Sequence, residues 1–206
     1  MIVGLGGNDI IKGRTGVDFI CAGRGHDIVR GGYDGDFIRG NGGNDRLNGG
    51  KGRNSLNGGP GDDYLNGGGH MELSMVVYDT AGQGVNIHLD GWWGAATGDG
   101  RDTLVNLRQV VGSRSSDTVY VGPSAPQLFS LATHHGNDTL TIAGSVTTPT
   151  GGYGDDTYNI IEGAVWGEIQ DRGGHDVYNV CNAAWGKDSI VSENMDMDGD
   201  YEVHFC

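Results

Sequence analysis

Positive charge is scarce in this chain. Thirteen Lys and Arg stand against 27 Asp and Glu, a formal net charge of −14, which disfavours nucleic acid and anionic membrane surfaces and makes cations the natural partners. No run approaches the ~18 apolar residues of a membrane span, and the opening residues MIVGLGG have neither the basic start nor the apolar stretch of a signal peptide. Cysteine is limited to Cys21, Cys181 and Cys206, an odd number without metal-site spacing that permits at most one disulfide within the chain. Catalytic signatures are missing too: the 206 residues contain no HExxH, no G-x-S-x-G and no nucleophile–base pairing, so the chain is read as non-enzymatic. Long helices are excluded by an excess instead, 41 glycines, each costing about 1 kcal/mol relative to Ala in a helix. With 36% hydrophobic residues evenly scattered, a thin and elongated core is expected.

The glycines are ordered. From Gly4 to Asn66 the sequence divides into seven blocks of nine without insertion or deletion: GLGGNDIIK, GRTGVDFIC, AGRGHDIVR, GGYDGDFIR, GNGGNDRLN, GGKGRNSLN and GGPGDDYLN. The sixth position holds Asp9, Asp18, Asp27, Asp36, Asp45, Asn54 and Asp63, and the eighth holds Ile11, Ile20, Val29, Ile38, Leu47, Leu56 and Leu65. An eighth block, GGGHMELSM, keeps the glycines but puts Glu72 at its sixth position. Turn residues alone need no Asp every nine positions.

These blocks resemble the calcium-binding nonapeptide repeats of the RTX (repeats-in-toxin, hemolysin-type) exoproteins. The resemblance implies an all-β fold, a parallel β-roll or β-solenoid in which each eighth-position aliphatic is the inward residue of a short strand and the glycine-rich residues turn the chain into the next. Two blocks then make one coil, and every residue stacks on its equivalent 18 positions away at the inter-strand spacing of ~4.8 Å. Asp9, Asp27, Asp45 and Asp63 fall along one edge, and Asp18, Asp36 and Asn54 along the other. Carboxylates so spaced repel by about 0.9 kcal/mol per pair even in a water-like dielectric. A hard cation between turns removes that repulsion, and Ca²⁺ accepts carboxylate and carbonyl oxygens in a flexible set where Mg²⁺ demands a tighter octahedron. Sites built on Asn54, with Asp36 below and Glu72 above, are expected to be weak or empty, and Asp63 is expected to end its edge. Asp34 and Ala22 replace a fourth-position and a first-position glycine.

Beyond residue 75 the phase is lost but strand-like segments continue, among them MVVYD, GVNIHL, DTLVNL, DTVYVG, DTLTIAG, DTYNII and DVYNV. Asp102, Asp117, Asp138, Asp156, Asp176 and Asp188 recur before them at a mean spacing near one coil. Residues 4–75 are therefore read as a regular calcium-binding roll and 76–206 as a degenerate solenoid continuation with an acidic C-terminal tail. Asp138 and Asp156, one coil apart and each closing a loop (THHGND, GGYGDD), are the expected calcium ligands outside the regular array. His134 and His135 are expected as exposed loop residues, Trp92 and Trp93 as a partly buried anchor, and Asn194, Asp196, Asp198 and Gly199 as part of a solvated tail, since Phe205 stands where a helix-flanked calcium loop needs Glu.

The expected function is that of a calcium-folded structural module of a secreted, extracellular protein, as the resemblance implies. Alternatives are an adhesion or carbohydrate-binding module scaffolded by calcium, contacting polysaccharide or a cell surface, and the non-catalytic C-terminal part of a secreted hydrolase or epimerase. Apolar seventh positions (Ile10, Phe19, Ile28, Phe37) suggest self-association near the N-terminal end.

Overall fold

The computed structural model describes residues 1–69, 72–161, 164–167, 169, 171–181 and 201–205. Every element is a strand: β1 (Ile2–Val3), β2 (Ile10–Arg14), β3 (Phe19–Arg24), β4 (Ile28–Gly32), β5 (Phe37–Gly42), β6 (Arg46–Gly50), β7 (Ser55–Asn57), β8 (Tyr64–Asn66), β9 (Met75–Val77), β10 (Asn86–Asp90) and β11 (Trp93–Thr97). There follow β12 (Arg101–Val105), β13 (Gln109–Val111), β14 (Thr118–Val121), β15 (Leu128–His135), β16 (Thr139–Ile142), β17 (Ser145–Tyr153), β18 (Thr157–Ile160), β19 (Val165–Trp166), β20 (Asp176–Val180) and β21 (Tyr201–Phe205).

Alternate strands build alternate walls. One sheet runs β1-β3-β5-β7-β9-β13-β15-β17-β19, and the other β2-β4-β6-β8-β12-β11-β10-β14-β16-β18-β20-β21. In the first third the register is one coil of 18 residues, with Ile11 beside Val29, Val29 beside Leu47 and Ile20 beside Ile38. The chain is a parallel β-solenoid. Eighth-position aliphatics point inward and are buried from Ile11 to Leu65, while seventh-position Ile10, Phe19, Ile28 and Phe37 remain exposed, with the rings of Phe19 and Phe37 stacked at 4.8 Å.

The turns demand their glycines at the fourth position, where Gly7, Gly16, Gly25, Gly43, Gly52 and Gly61 all have positive φ. Asp34 takes the same backbone conformation at φ 77°, one that Asp tolerates better than most side chains, and its Oδ2 accepts the Gly16 N–H of the preceding coil at 2.9 Å.

The interior changes along the axis. In the nonapeptide blocks each strand contributes one aliphatic followed by a first-position glycine or Ala22, whereas later strands of the second sheet contribute two buried residues each: Leu140 and Ile142, Tyr158 and Ile160, Tyr178 and Val180. The Tyr158 and Tyr178 rings stack at 4.9 Å in this wider core.

Between the two regimes lies an insertion. β11 pairs antiparallel with both β10 and β12. The chain passes from β9 to β10, turns back twice, and sets β12 against β8, with Leu104 beside Leu65, while β10 faces β14. The sequence names GVNIHL and DTLVNL as strands but gives no sign of β11, whose Trp-Gly-Ala-Ala-Thr offers little apolar alternation. Two findings differ from expectation. Ser74, not Glu72, follows Asn54 on its edge, because β9 pairs Met75 with Ser55 and the coil there is 20 residues long. Within the segment read as an acidic tail, Tyr201–Phe205 forms β21 in parallel with β20, with Tyr201 and Val203 half-buried against the core; the residues from Asn194 to Gly199, Asp188 and Cys206 lie outside those described.

Candidate metal centre

The sixth-position aspartates stand in two hydrogen-bonded ladders. Each carboxylate uses one oxygen to accept the backbone N–H of its equivalent one coil earlier: Asp27 Oδ1 takes the Asp9 N–H at 2.8 Å, Asp45 that of Asp27 at 2.8 Å and Asp63 that of Asp45 at 2.7 Å. On the opposite edge Asp36 accepts from Asp18 and Asn54 from Asp36, both at 2.9 Å. Further along, Asp138 accepts from Asp117, Asp156 from Asp138 and Asp176 from Asp156 at 2.7 to 2.9 Å. The eight carboxylates anticipated from sequence are thus brought onto the loop edges in stacking register.

Their second oxygens are the chemically open atoms. Oδ2 of Asp9, Asp18, Asp27, Asp36, Asp45, Asp63, Asp138 and Asp156 is buried without a hydrogen-bond partner, a state that costs about 1–3 kcal/mol or more per group unless something neutralises it. The first-position glycine explains where these oxygens point. A Cβ on Gly13 would meet both Asp18 Oδ2 and the Gly31 carbonyl oxygen at 2.5 Å, so the two oxygens are no more than about 5 Å apart, a span that one Ca²⁺ bridges with bonds of 2.3–2.6 Å. Gly4, Gly31 and Gly40 occupy the same place against Asp9 and the Ala22 carbonyl, Asp36 and the Gly49 carbonyl, and Asp45 and the Gly58 carbonyl. Glycine keeps the cradle open by having no side chain.

Burial pushes these carboxyls upward when no cation is present. Asp45 rises to about 6, Asp63 to about 7, Asp138 to about 6 and Asp156 to about 8, and Asp36 rises as well, in each case chiefly through loss of solvent, with neighbouring aspartates adding repulsion.

Where the ladders end, the protein supplies the missing donor itself. Asn54 Nδ2 donates to the Gly52 and Gly67 carbonyls at 3.1 and 3.0 Å, so an amide takes the place a cation would hold, and Ser74 Oγ accepts the Asn54 N–H at 3.2 Å. Asp63 does not end its edge: its N–H bonds Asp102 Oδ1 at 3.0 Å, β12 lying directly beside β8, and Tyr78 donates its hydroxyl to Asp102 Oδ2 at 2.8 Å. Asp117 is likewise satisfied, by the Ser113 N–H at 2.8 Å and the Ser113 hydroxyl at 2.6 Å.

A second ladder runs beside the first on one edge. Fifth-position side chains accept the N–H of the next coil: His26 N–H to Asn8 Oδ1, Asn44 N–H to His26 Nδ1, Asp62 N–H to Asn44 Oδ1 and Arg101 N–H to Asp62 Oδ1, at 2.8 to 3.2 Å. Ser116, Asn137 and Asp155 repeat the device later. Read as one series the fifth positions look random, because Val17, Gly35 and Arg53 of the opposite edge interleave with them. His134 and His135, by contrast, end β15, exposed, with His135 stacked on Tyr153 at 5.1 Å, while Trp93 is exposed with its edge toward Tyr64 at 6.5 Å.

The RTX calcium-binding nonapeptide repeat matches in four copies over residues 1–29, 22–56 and 39–69. No curated protein matches the chain.

Proposed function

Because residues 1–69 carry RTX calcium-binding nonapeptide repeats, which bind Ca²⁺, we propose that this chain is a non-enzymatic, calcium-folded module of an exported protein. In this reading Oδ2 of Asp9, Asp18, Asp27, Asp36, Asp45, Asp63, Asp138 and Asp156 are its metal-facing atoms, residues 4–75 form the regular calcium roll and 76–206 continue it. The observation that supports the reading most directly is the row of buried carboxylate oxygens without donors, set against carbonyl oxygens across glycines that leave the gap open. Export fits the chemistry: extracellular calcium modules bind at about 10⁻⁴–10⁻³ M, so the sites stay empty in calcium-poor cytosol and fill outside.

The stacking sets a rank among the sites. Asp45 has a loop on either side, whereas Asp9 belongs to the first loop of its edge and is only half-buried. Asp45→Ala should therefore lower calcium uptake more than Asp9→Ala, by roughly two site equivalents against one, since each carboxylate serves the cradle beside it and anchors the coil before it. Calorimetric titration of the two variants reads this, and equal losses would contradict the register.

A further inference from the structure

The first position of each loop, five residues before its aspartate, decides what fills the cradle. It is glycine at Gly4, Gly13, Gly31, Gly40, Gly58 and Gly151, where an added Cβ would press on the aspartate of the same loop. Apart from Thr97 before Asp102, at the end of the inserted β11, three loops depart from this. Ala22 adds a methyl, and Thr133 adds a hydroxyl that donates to the Gly151 carbonyl at 3.1 Å, a further oxygen beside the cradle of Asp138. The third departure, Asp171 before Asp176, adds a carboxylate.

That carboxylate is held in place. Asp171 Oδ2 accepts the Tyr158 hydroxyl at 2.7 Å, and Oδ1 accepts the Gly152 and Arg172 N–H groups at 2.9 Å. It stands with the two ladder residues of its coil: one oxygen each from Asp156, Asp171 and Asp176 lie within 4.8 Å of one another, the one such group of three among the described residues. Asp156 is fully buried, and its Oδ2 has no hydrogen-bond partner.

We propose that Asp156, Asp171 and Asp176 form a three-carboxylate site for a single Ca²⁺, and that it is the tightest calcium site of the chain. The proposal rests on the calcium reading above for the choice of ion, but its residues lie outside the matched repeats. Oxygens within 4.8 Å of one another can all reach one ion at the 2.3–2.6 Å of Ca²⁺ with at most small shifts, whereas the 2.0–2.1 Å bonds and strict octahedron of Mg²⁺ ask for a tighter set. Calcium affinity grows with the number of ligand charges and with rigidity. Here three carboxylates replace the single one and carbonyl of the Gly13 cradle, and Tyr158, which braces Asp171, is itself stacked on Tyr178. Burial raises the carboxyls of both Asp156 and Asp171, and at Asp156 the neighbouring Asp171, Asp138 and Asp176 carboxylates raise it further.

The test uses the full chain and Tb³⁺ as the probe, excited through tyrosine and displaced by Ca²⁺. The Tyr158 hydroxyl bonds Asp171 directly, so an ion in this site sits close to a sensitising ring. One tight, tyrosine-sensitised equivalent is expected, followed by weaker binding. Asp171→Asn should weaken the tight phase at least ~10-fold by removing one of three charges, while Asp45→Asn leaves it in place. Asp171→Gly restores the usual first-position residue, so it provides a variant whose loop is that of an ordinary repeat; it should fold in saturating calcium, checked by far-ultraviolet circular dichroism, and lack the tight phase. A tight phase surviving in either folded variant, or missing from the parent while weak calcium binding persists, would overturn the site alone. Absence of all binding would instead overturn the calcium reading.

Discussion

In excess chelator at pH 8 the first seven blocks should unfold while the later coils keep their structure. The blocks bury one aliphatic each from Ile11 to Leu65, and their remaining interior is glycine and carboxylate. That is little apolar surface against the conformational entropy of ordering nine residues. The later strands bury two residues each, including the stacked Tyr158 and Tyr178, and their aspartates are fewer per coil. Hydrogen exchange read by mass spectrometry should show complete, fast exchange over Phe19–Gly50 and retained protection over Thr139–Ile160. Calcium should restore the first region cooperatively, and equimolar Mg²⁺ should not. Protection of residues 19–50 that is indifferent to chelator would remove calcium from the account of this fold.

Acid should partly replace the metal. The buried carboxyls have folded values of about 6 to about 8 at Asp45, Asp63, Asp138 and Asp156 in the absence of a cation, against about 3.9 for an unfolded Asp. The folded state therefore binds more protons than the unfolded one. Their contribution to stability is fully present below about pH 4 and is lost as pH rises through 6 to 8. The calcium-free chain should be more folded at pH 5.5 than at pH 8, where the first blocks are open. With calcium the order reverses, because protons compete for the same oxygens and affinity falls on acidification through that window. Thermal midpoints by circular dichroism at the two pH values, with chelator and with calcium, give the four numbers needed. A calcium-free midpoint that rises with pH would show that these carboxylates are not the groups opposing the fold.

The sequence made the roll and its aspartate edges legible because a coil of 18 residues imposes the same requirement on every block: an inward aliphatic at the eighth position and an oxygen donor at the sixth. Other features escaped for physical reasons. The acceptor ladder of Asn8, His26, Asn44 and Asp62 lies on one edge only and alternates in sequence with Val17, Gly35 and Arg53 of the other, so its regularity is lost when the fifth positions are taken as a single series. Asp171 matters for standing where glycine usually stands, and a site defined by an absent side chain gives no positive signal in a sequence. Tyr78 reaches Asp102 from 24 residues away through an insertion whose central strand has no apolar alternation. Chain direction was equally hidden, since nothing in GVNIHL or DTLVNL says that the second returns to the strand preceding the first.

That insertion also acts as an electrical spacer. Asp102 lies at the start of β12 and Asp117 just before β14, and β11 and β10 lie between those strands. At ~4.8 Å per strand the two carboxylates are separated by about 14 Å, where neighbours within a ladder are one spacing apart. At that separation the direct repulsion between the two is about a third of that between neighbours within a ladder. Both facing ends are moreover tied off by Tyr78 and Ser113. In the proposed calcium reading, occupancy of one row then couples only weakly to the other: the rows stand as two separate capacitors, each charging with calcium at its own concentration.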